Sequence, residues 1–131
     1  MKIFGIGTDI VNISRLEKIL KRRNHHFKNK IFTKNEIKYC EKKRNSVSFY
    51  AKRFAAKEAL CKALGTGIKA GFTFKNIEIV NDTSGKPHIV LKKTAIQFFK
   101  KKVKSKLYDI HLSLTDDKPW AQATVIISLR K

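Results

Sequence analysis

The run Phe54-Ala55-Ala56-Lys57-Glu58-Ala59-Leu60-Cys61-Lys62-Ala63-Leu64-Gly65-Thr66-Gly67 constrains the fold more than any other stretch. It predicts the second half of a helix that opens near Ser46 and stops at Gly65, a residue type favoured just past a helix end. At roughly 100° per residue, Val47, Tyr50, Ala51, Phe54 and Cys61 share one apolar stripe, and Glu58 lies in the middle of it. A carboxylate left buried and unpaired is costly, so Glu58 requires a cation or hydrogen-bond donors. Lys62 follows at i+4 on the same side of the helix. Two readings stand side by side: an internal Glu58–Lys62 ion pair, or a metal ligand beside a phosphate-binding ammonium. Gly65-Thr66-Gly67 adds backbone N–H groups and a hydroxyl next to Lys62, the makings of an anion-binding nest.

A second carboxylate comes from the N-terminal strand, Lys2 to Ile10. Phe4, Ile6, Thr8 and Ile10 face one way, and Ile3, Gly5, Gly7 and Asp9 the other. The second face is nearly bare of side chains and ends on Asp9. Glycines there admit a close approach, whether of a ligand or of a crossing helix. Two carboxylates from separate elements suit Mg²⁺, which takes few protein ligands and completes its shell with water and phosphate oxygens.

The rest of the chain supplies the scaffold. Ser14-Arg15-Leu16-Glu17 has capping-box form and predicts a helix to about Arg23, with Arg15, Lys18 and Arg22 as a cationic stripe. Asn24 to Lys30 reads as a polar loop. Thr33-Lys34-Asn35-Glu36 repeats the capping box and opens a short helix through roughly Lys42. Ile77–Val80 and His88–Leu91 read as a hairpin turning through Asn81 to Pro87. Thr94 to about Leu107 predicts a helix. Tyr108 to Thr115 alternates, with Asp109, His111, Ser113 and Thr115 on its polar side. After a turn over Asp116 to Pro119, Trp120 to Leu129 is a mostly apolar strand suited to a sheet interior or a subunit contact. The order β-α-α-α-β-β-α-β-β is that of an α+β domain with an antiparallel sheet, and residues 1–131 read as one domain.

Charge narrows the partner. The formal net charge is +20, which calls for an acidic or phosphorylated one, although part of the lysine content is simple solvated surface. Of 30 basic residues only 6 are arginine, a balance unsuited to reading base edges. A small basic nucleic-acid-binding protein is the rival reading. It leaves Asp9 and Glu58 without a role and lacks clustered exposed aromatics. No segment reaches the ~20 apolar residues of a membrane span, no signal-peptide stretch opens the chain, and Cys40 and Cys61 lack metal-ligand spacing. A soluble, cytoplasmic protein with reduced thiols is expected.

These stretches resemble the holo-[acyl-carrier-protein] synthase family of bacterial phosphopantetheinyl transferases. Gly5-Ile6-Gly7-Thr8-Asp9-Ile10 resembles its opening motif and Phe54 to Gly67 its second. Gly85-Lys86-Pro87 and His111-Leu112-Ser113-Leu114-Thr115 follow in the same order as later family signatures. Asp116 departs from the histidine that many members carry there. The resemblance implies transfer of the phosphopantetheine arm of coenzyme A to a serine of apo acyl carrier protein, for fatty acid biosynthesis. It implies Mg²⁺ on Asp9 and Glu58, with Glu58 and Lys62 as catalytic residues and Lys62 on the bridging phosphates. The base for the incoming serine stays open between a metal-bound water and Glu58 acting through one. Arg53, Lys57, Gly65, Thr66, Lys86, Pro87, His111 and Ser113 would contact coenzyme A, and Arg15, Lys18 and Arg22 would dock the acidic carrier. It further implies a homotrimer with sites between neighbouring subunits, and neither a membrane nor a nucleic-acid partner.

Overall fold

The computed structural model describes residues 1–68, 72–92 and 94–130, without the side chains of residues 23–25. In chain order the elements are β1 (Lys2–Asn12), α1 (Ile13–Ile31), α2 (Lys34–Glu41), α3 (Ser46–Leu64), β2 (Ile77–Asn81), β3 (Pro87–Leu91), α4 (Thr94–Val103), β4 (Tyr108–Asp117) and β5 (Trp120–Leu129). A 3-10 turn, Phe74–Asn76, leads into β2. The strands form an antiparallel sheet in the order β1-β5-β4 and a separate β2-β3 hairpin, giving the expected α+β class.

Helix α3 runs between two apolar layers. Tyr50 and Ala51 pack with Ile13, Leu16 and Leu20 of α1, Cys40 of α2, and Phe32 between the two helices. Further along, Ala55, Ala59, Leu60 and Leu64 pack with Ile77, Ile79, Phe99, Val125 and Ile127 from the strands and α4. The single stripe expected from periodicity is therefore too narrow. Burial extends round the helix because a different layer covers each side, and its many alanines permit that closeness.

Strand β1 lies directly on the α3 backbone. A Cβ at Gly5 would stand 1.9 Å from the Ala63 carbonyl oxygen, and one at Gly7 would stand 2.0 Å from that of Ala59. The crossing-helix reading of these glycines is the observed one, and the same closeness carries Asp9 to the helix two residues later. Gly7→Ala forces strand and helix apart and is expected to destabilise by about 3 kcal/mol, the upper range for overpacking. A urea melt reads this directly, and a loss below ~1 kcal/mol would mean the strand shifts freely.

Several boundaries differ from expectation. Asn12, not Ser14, caps α1, its side chain accepting the Arg15 N–H at 3.0 Å. Helix α1 continues to Ile31, through the stretch expected as a loop. Phe27 and Ile31 keep the apolar spacing of Leu16 and Leu20 across that stretch, and Phe27 packs on Phe54 with centroids 6.3 Å apart. One apolar residue per turn among lysines and asparagines is a faint signal. The capping box Thr33–Glu36 is present as expected. Asn45 precedes α3 without a side-chain cap, so Ser46 is its first residue and not its cap. Helix α4 stops at Val103 because Lys104 turns left-handed, with φ 56°. Strands β4 and β5 extend until Lys118 and Pro119 alone join them.

A buried ionic network ties these layers together. The Lys57 ammonium, fully buried, donates to Glu36 Oε1 at 2.7 Å and to the carbonyls of Ile31 and Phe74, each at 2.8 Å. Glu36 also accepts the N–H groups of Thr33 and Ile79, both at 2.9 Å. The Thr33 hydroxyl donates to Glu78 Oε2, and the other Glu78 oxygen meets Lys92 at 3.0 Å. One cluster thus joins the end of α1, the start of α2, the middle of α3 and strand β2.

Candidate active site

The face of β1 that lies on α3 delivers Asp9 to one side of the helix, where Glu58 and Lys62 stand one turn apart. Both carboxylates line a cleft of about 290 Å³ with Asn12, Arg15 and Phe54. Lys62 pairs with Asp9 at 3.1 Å, not with Glu58, so the internal i+4 ion pair is not the arrangement formed. Its side chain is 56% exposed and keeps two N–H bonds for another partner. Among the described residues nothing donates a hydrogen bond to Glu58. Burial first, and then the Asp9 charge, push the Glu58 carboxyl above its ordinary range, with Lys62 opposing. Two converging hard oxygen donors, one of them destabilised as an anion, fit a divalent cation. Among the described residues no group of three or more His, Cys, Asp and Glu side chains stands together, and Mg²⁺ does not need one.

At the end of α3 the Gly65 N–H bonds the Cys61 and Lys62 carbonyls at 2.9 and 3.2 Å, and the Thr66 N–H bonds Cys61 at 3.0 Å. Gly65 has φ 80°, so the turn is a Schellman closure. It spends the N–H groups of Gly65 and Thr66 on the helix. The nest expected here is corrected accordingly: those two amides are not open to an anion, and the Thr66 hydroxyl donates to the Gly67 carbonyl at 3.3 Å.

A second cavity, about 390 Å³, lies on another face of α3. Arg53, Gly85, Lys86, Pro87 and Ser113 line it together with Tyr39, Phe49, Lys52 and Asn81. Arg53 is 2% exposed; it donates to Asn81 Oδ1 at 2.5 Å and lies 4.1 Å from the Tyr39 ring centre, and its Nε finds no hydrogen-bond partner among the described residues. Lys52 pairs with Asp116 at 3.1 Å. Five positions separate Arg53 from Glu58, about 140° round the helix, so the two groups open on different sides of one protomer.

The remaining expected residues divide three ways. Arg15, Lys18 and Arg22 are all exposed along α1, and Arg15 reaches the wall of the Asp9–Glu58 cleft. His111 lies on the outer face of the three-stranded sheet, its Nε2 2.9 Å from the Ser128 hydroxyl, in neither cavity. Lys57 is withdrawn from the coenzyme A contacts: it is fully buried and all three of its protons are taken by the network described above. Sequence reasoning passed over Tyr39, Phe49, Lys52 and Asn81. The Lys52-Arg53 pair was a faint hint, but nothing local links Asn81 to Arg53, 28 positions away. The two thiols offer no nucleophile, since burial pushes Cys40 and Cys61 each up to about 12.

Comparison with known proteins gives the family. The model of the 4'-phosphopantetheinyl transferase superfamily matches residues 5–124. A holo-[acyl-carrier-protein] synthase of Wolbachia pipientis is 48% identical over 129 residues, covering 95% of this chain and 97% of the relative. The chain belongs to the holo-[acyl-carrier-protein] synthase family. The crystal structure of the Neisseria meningitidis family member matches with TM-score 0.87 at 34% identity, over 96% of this chain and 98% of that one. The Helicobacter pylori member, solved in complex with coenzyme A, matches with TM-score 0.81 at 34% identity, over 94% and 99%. The rival nucleic-acid reading finds no support in these likenesses. Among the described residues no helix is long and apolar enough to cross a membrane.

Proposed function

We propose that this protein transfers the phosphopantetheine arm of coenzyme A to a serine of apo acyl carrier protein, releasing adenosine 3',5'-bisphosphate, for fatty acid synthesis in the cytoplasm. The observation that carries the reading is the convergence of Asp9 and Glu58 on one cleft, with Lys62 exposed beside them. Asp9 and Glu58 would hold Mg²⁺, which when bound supplies Lewis acidity to the pyrophosphate oxygens. Lys62 binds the bridging phosphates and offsets the negative charge that grows as the bisphosphate leaves. The nucleophile is the carrier's serine, in keeping with the absence of an activated thiol. Glu58, acting through a water, receives its proton.

The second cavity receives the adenosine end, where Arg53 and Lys86 meet phosphate and Tyr39 and Phe49 give apolar walls. Because it opens on another side of the protomer, the cavity serves the carboxylate cleft of a neighbouring subunit. The outer face of the three-stranded sheet supports such an assembly, with Ile6 62% and Ile10 59% exposed. The number three rests on the family resemblance, and sedimentation as a monomer under assay conditions would overturn the shared site.

The test is to mix the protein with apo carrier, coenzyme A and Mg²⁺ and weigh the carrier. A gain of one phosphopantetheine supports the reading, chelation should abolish it, and no gain sinks it. The stripe Arg15, Lys18 and Arg22, beginning at the cleft wall, is the docking surface for an acidic carrier. Arg15→Glu/Arg22→Glu should raise KM for carrier by about tenfold or more at low salt, with KM for coenzyme A within about twofold. Equal changes in both constants would remove α1 from the docking surface.

A further inference from the structure

Asp82 is exposed, yet its carboxylate is heavily engaged. Oδ1 accepts the Ser84 N–H at 2.9 Å, the Ser84 hydroxyl at 2.6 Å and the Lys86 N–H at 3.0 Å. Oδ2 lies 3.0 Å from His88 Nε2. The backbone closes the same turn: the Asp82 N–H bonds the Lys86 carbonyl and the Gly85 N–H bonds the Asp82 carbonyl, both at 2.9 Å. Gly85 takes φ 90°, as the turn requires. The other side of this turn is cavity wall. Gly85, Lys86 and Pro87 line the second cavity beside Asn81, whose amide donates to the Gly85 carbonyl at 3.0 Å and whose oxygen accepts from Arg53.

We propose that Asp82 is a positioning residue for coenzyme A, holding the turn of residues 82–88 in the one shape that presents Lys86 and Pro87 to the adenosine end of the substrate. The inference rests on the transferase reading and on the role given there to the second cavity. Among the described residues, the hydrogen bonds of Asp82 all lie within its own turn, at the exposed tip of a hairpin, where local order contributes little to global stability. Its benefit therefore appears in binding. A turn ordered in advance spares the substrate the cost of ordering it. The hydrogen bond from the Ser84 hydroxyl, and then that from His88, hold the Asp82 carboxyl well below the usual carboxylate range. The hub thus stays anionic at neutral pH.

Asp82→Ala should raise KM for coenzyme A about tenfold, with kcat and KM for the carrier within about twofold. Asp82→Asn keeps an acceptor for Ser84 and Lys86 and should bring KM back to within about threefold of wild type. Calorimetric titration with adenosine 3',5'-bisphosphate should repeat the order Asp82→Ala weaker than Asp82→Asn weaker than wild type. An unchanged KM for coenzyme A in Asp82→Ala overturns the proposal. So does a parallel loss of kcat and both affinities with a lowered melting temperature, which would mark Asp82 as merely structural. Failure of the wild-type chain to modify the carrier at all is a separate result: it removes the transferase reading first, and this role with it.

Discussion

Glu58→Gln is expected to abolish phosphopantetheine transfer, lowering kcat by about 10³-fold or more, while leaving the fold intact. A charge-stabilising cation worth several kcal/mol in the transition state corresponds to a factor of that size at ~1.4 kcal/mol per tenfold. The amide keeps the volume of the carboxyl but loses its charge and its ability to take a proton. Stability should not fall, and the sign follows from the environment. The folded state raises the Glu58 carboxyl above its unfolded value, by burial and by the Asp9 charge. Such a group disfavours folding at any pH where the unfolded chain ionises it, so neutral pH carries that penalty and acid relieves it. The neutral glutamine removes the penalty, and the variant should melt at or slightly above the wild-type temperature in metal-free buffer. Mass spectrometry of the carrier together with a thermal melt checks both halves. Full activity at saturating Mg²⁺ would overturn the ligand assignment, and a lower melting temperature would return Glu58 to a structural role.

The largest stability effect is expected at the buried network. Lys57→Met should destabilise by about 3–5 kcal/mol, because it leaves Glu36 without its cation and strands the Ile31 and Phe74 carbonyls. Burial pushes the Lys57 ammonium below its ordinary value, and the Glu36 charge at 2.7 Å pulls it back up. Three acceptors around one nitrogen keep it charged. Removing both charges, in Lys57→Met/Glu36→Gln, should recover about half of the loss, since no uncompensated ion then stays buried. Urea melts of the two variants at neutral pH give the comparison. A single-variant loss below ~1 kcal/mol would mean that water reaches Glu36.

Much of this architecture was legible in local pattern. The Thr33–Glu36 box, the glycine stop at Gly65, the alternation of β4 and the element order all depend on interactions within a few residues. So does the Gly5-Gly7-Asp9 face, because strand alternation fixes which residues share a side. The extension of α1 was missed for the converse reason. Phe27 and Ile31 gain their helical partner only by packing on α3 and its neighbours, while the intervening residues look like solvated loop.

The fate of individual charges was decided by the tertiary structure. Lys57 and Lys62 are five positions apart in one motif and look alike in a string of letters. Yet α2 and the Phe74 turn close over Lys57 and consume all its donors, whereas Lys62 faces open solvent beside Asp9. Glu36 and Glu58 differ in the same way: one is satisfied by Thr33, Lys57 and Ile79, while nothing among the described residues donates to the other. Residue types and spacing were enough to nominate two carboxylates and a lysine, since chemistry at a pyrophosphate requires such groups at helix and strand spacing. Which cations remain free to act depends on what packs over each side chain, and packing between distant segments leaves no local mark in the sequence.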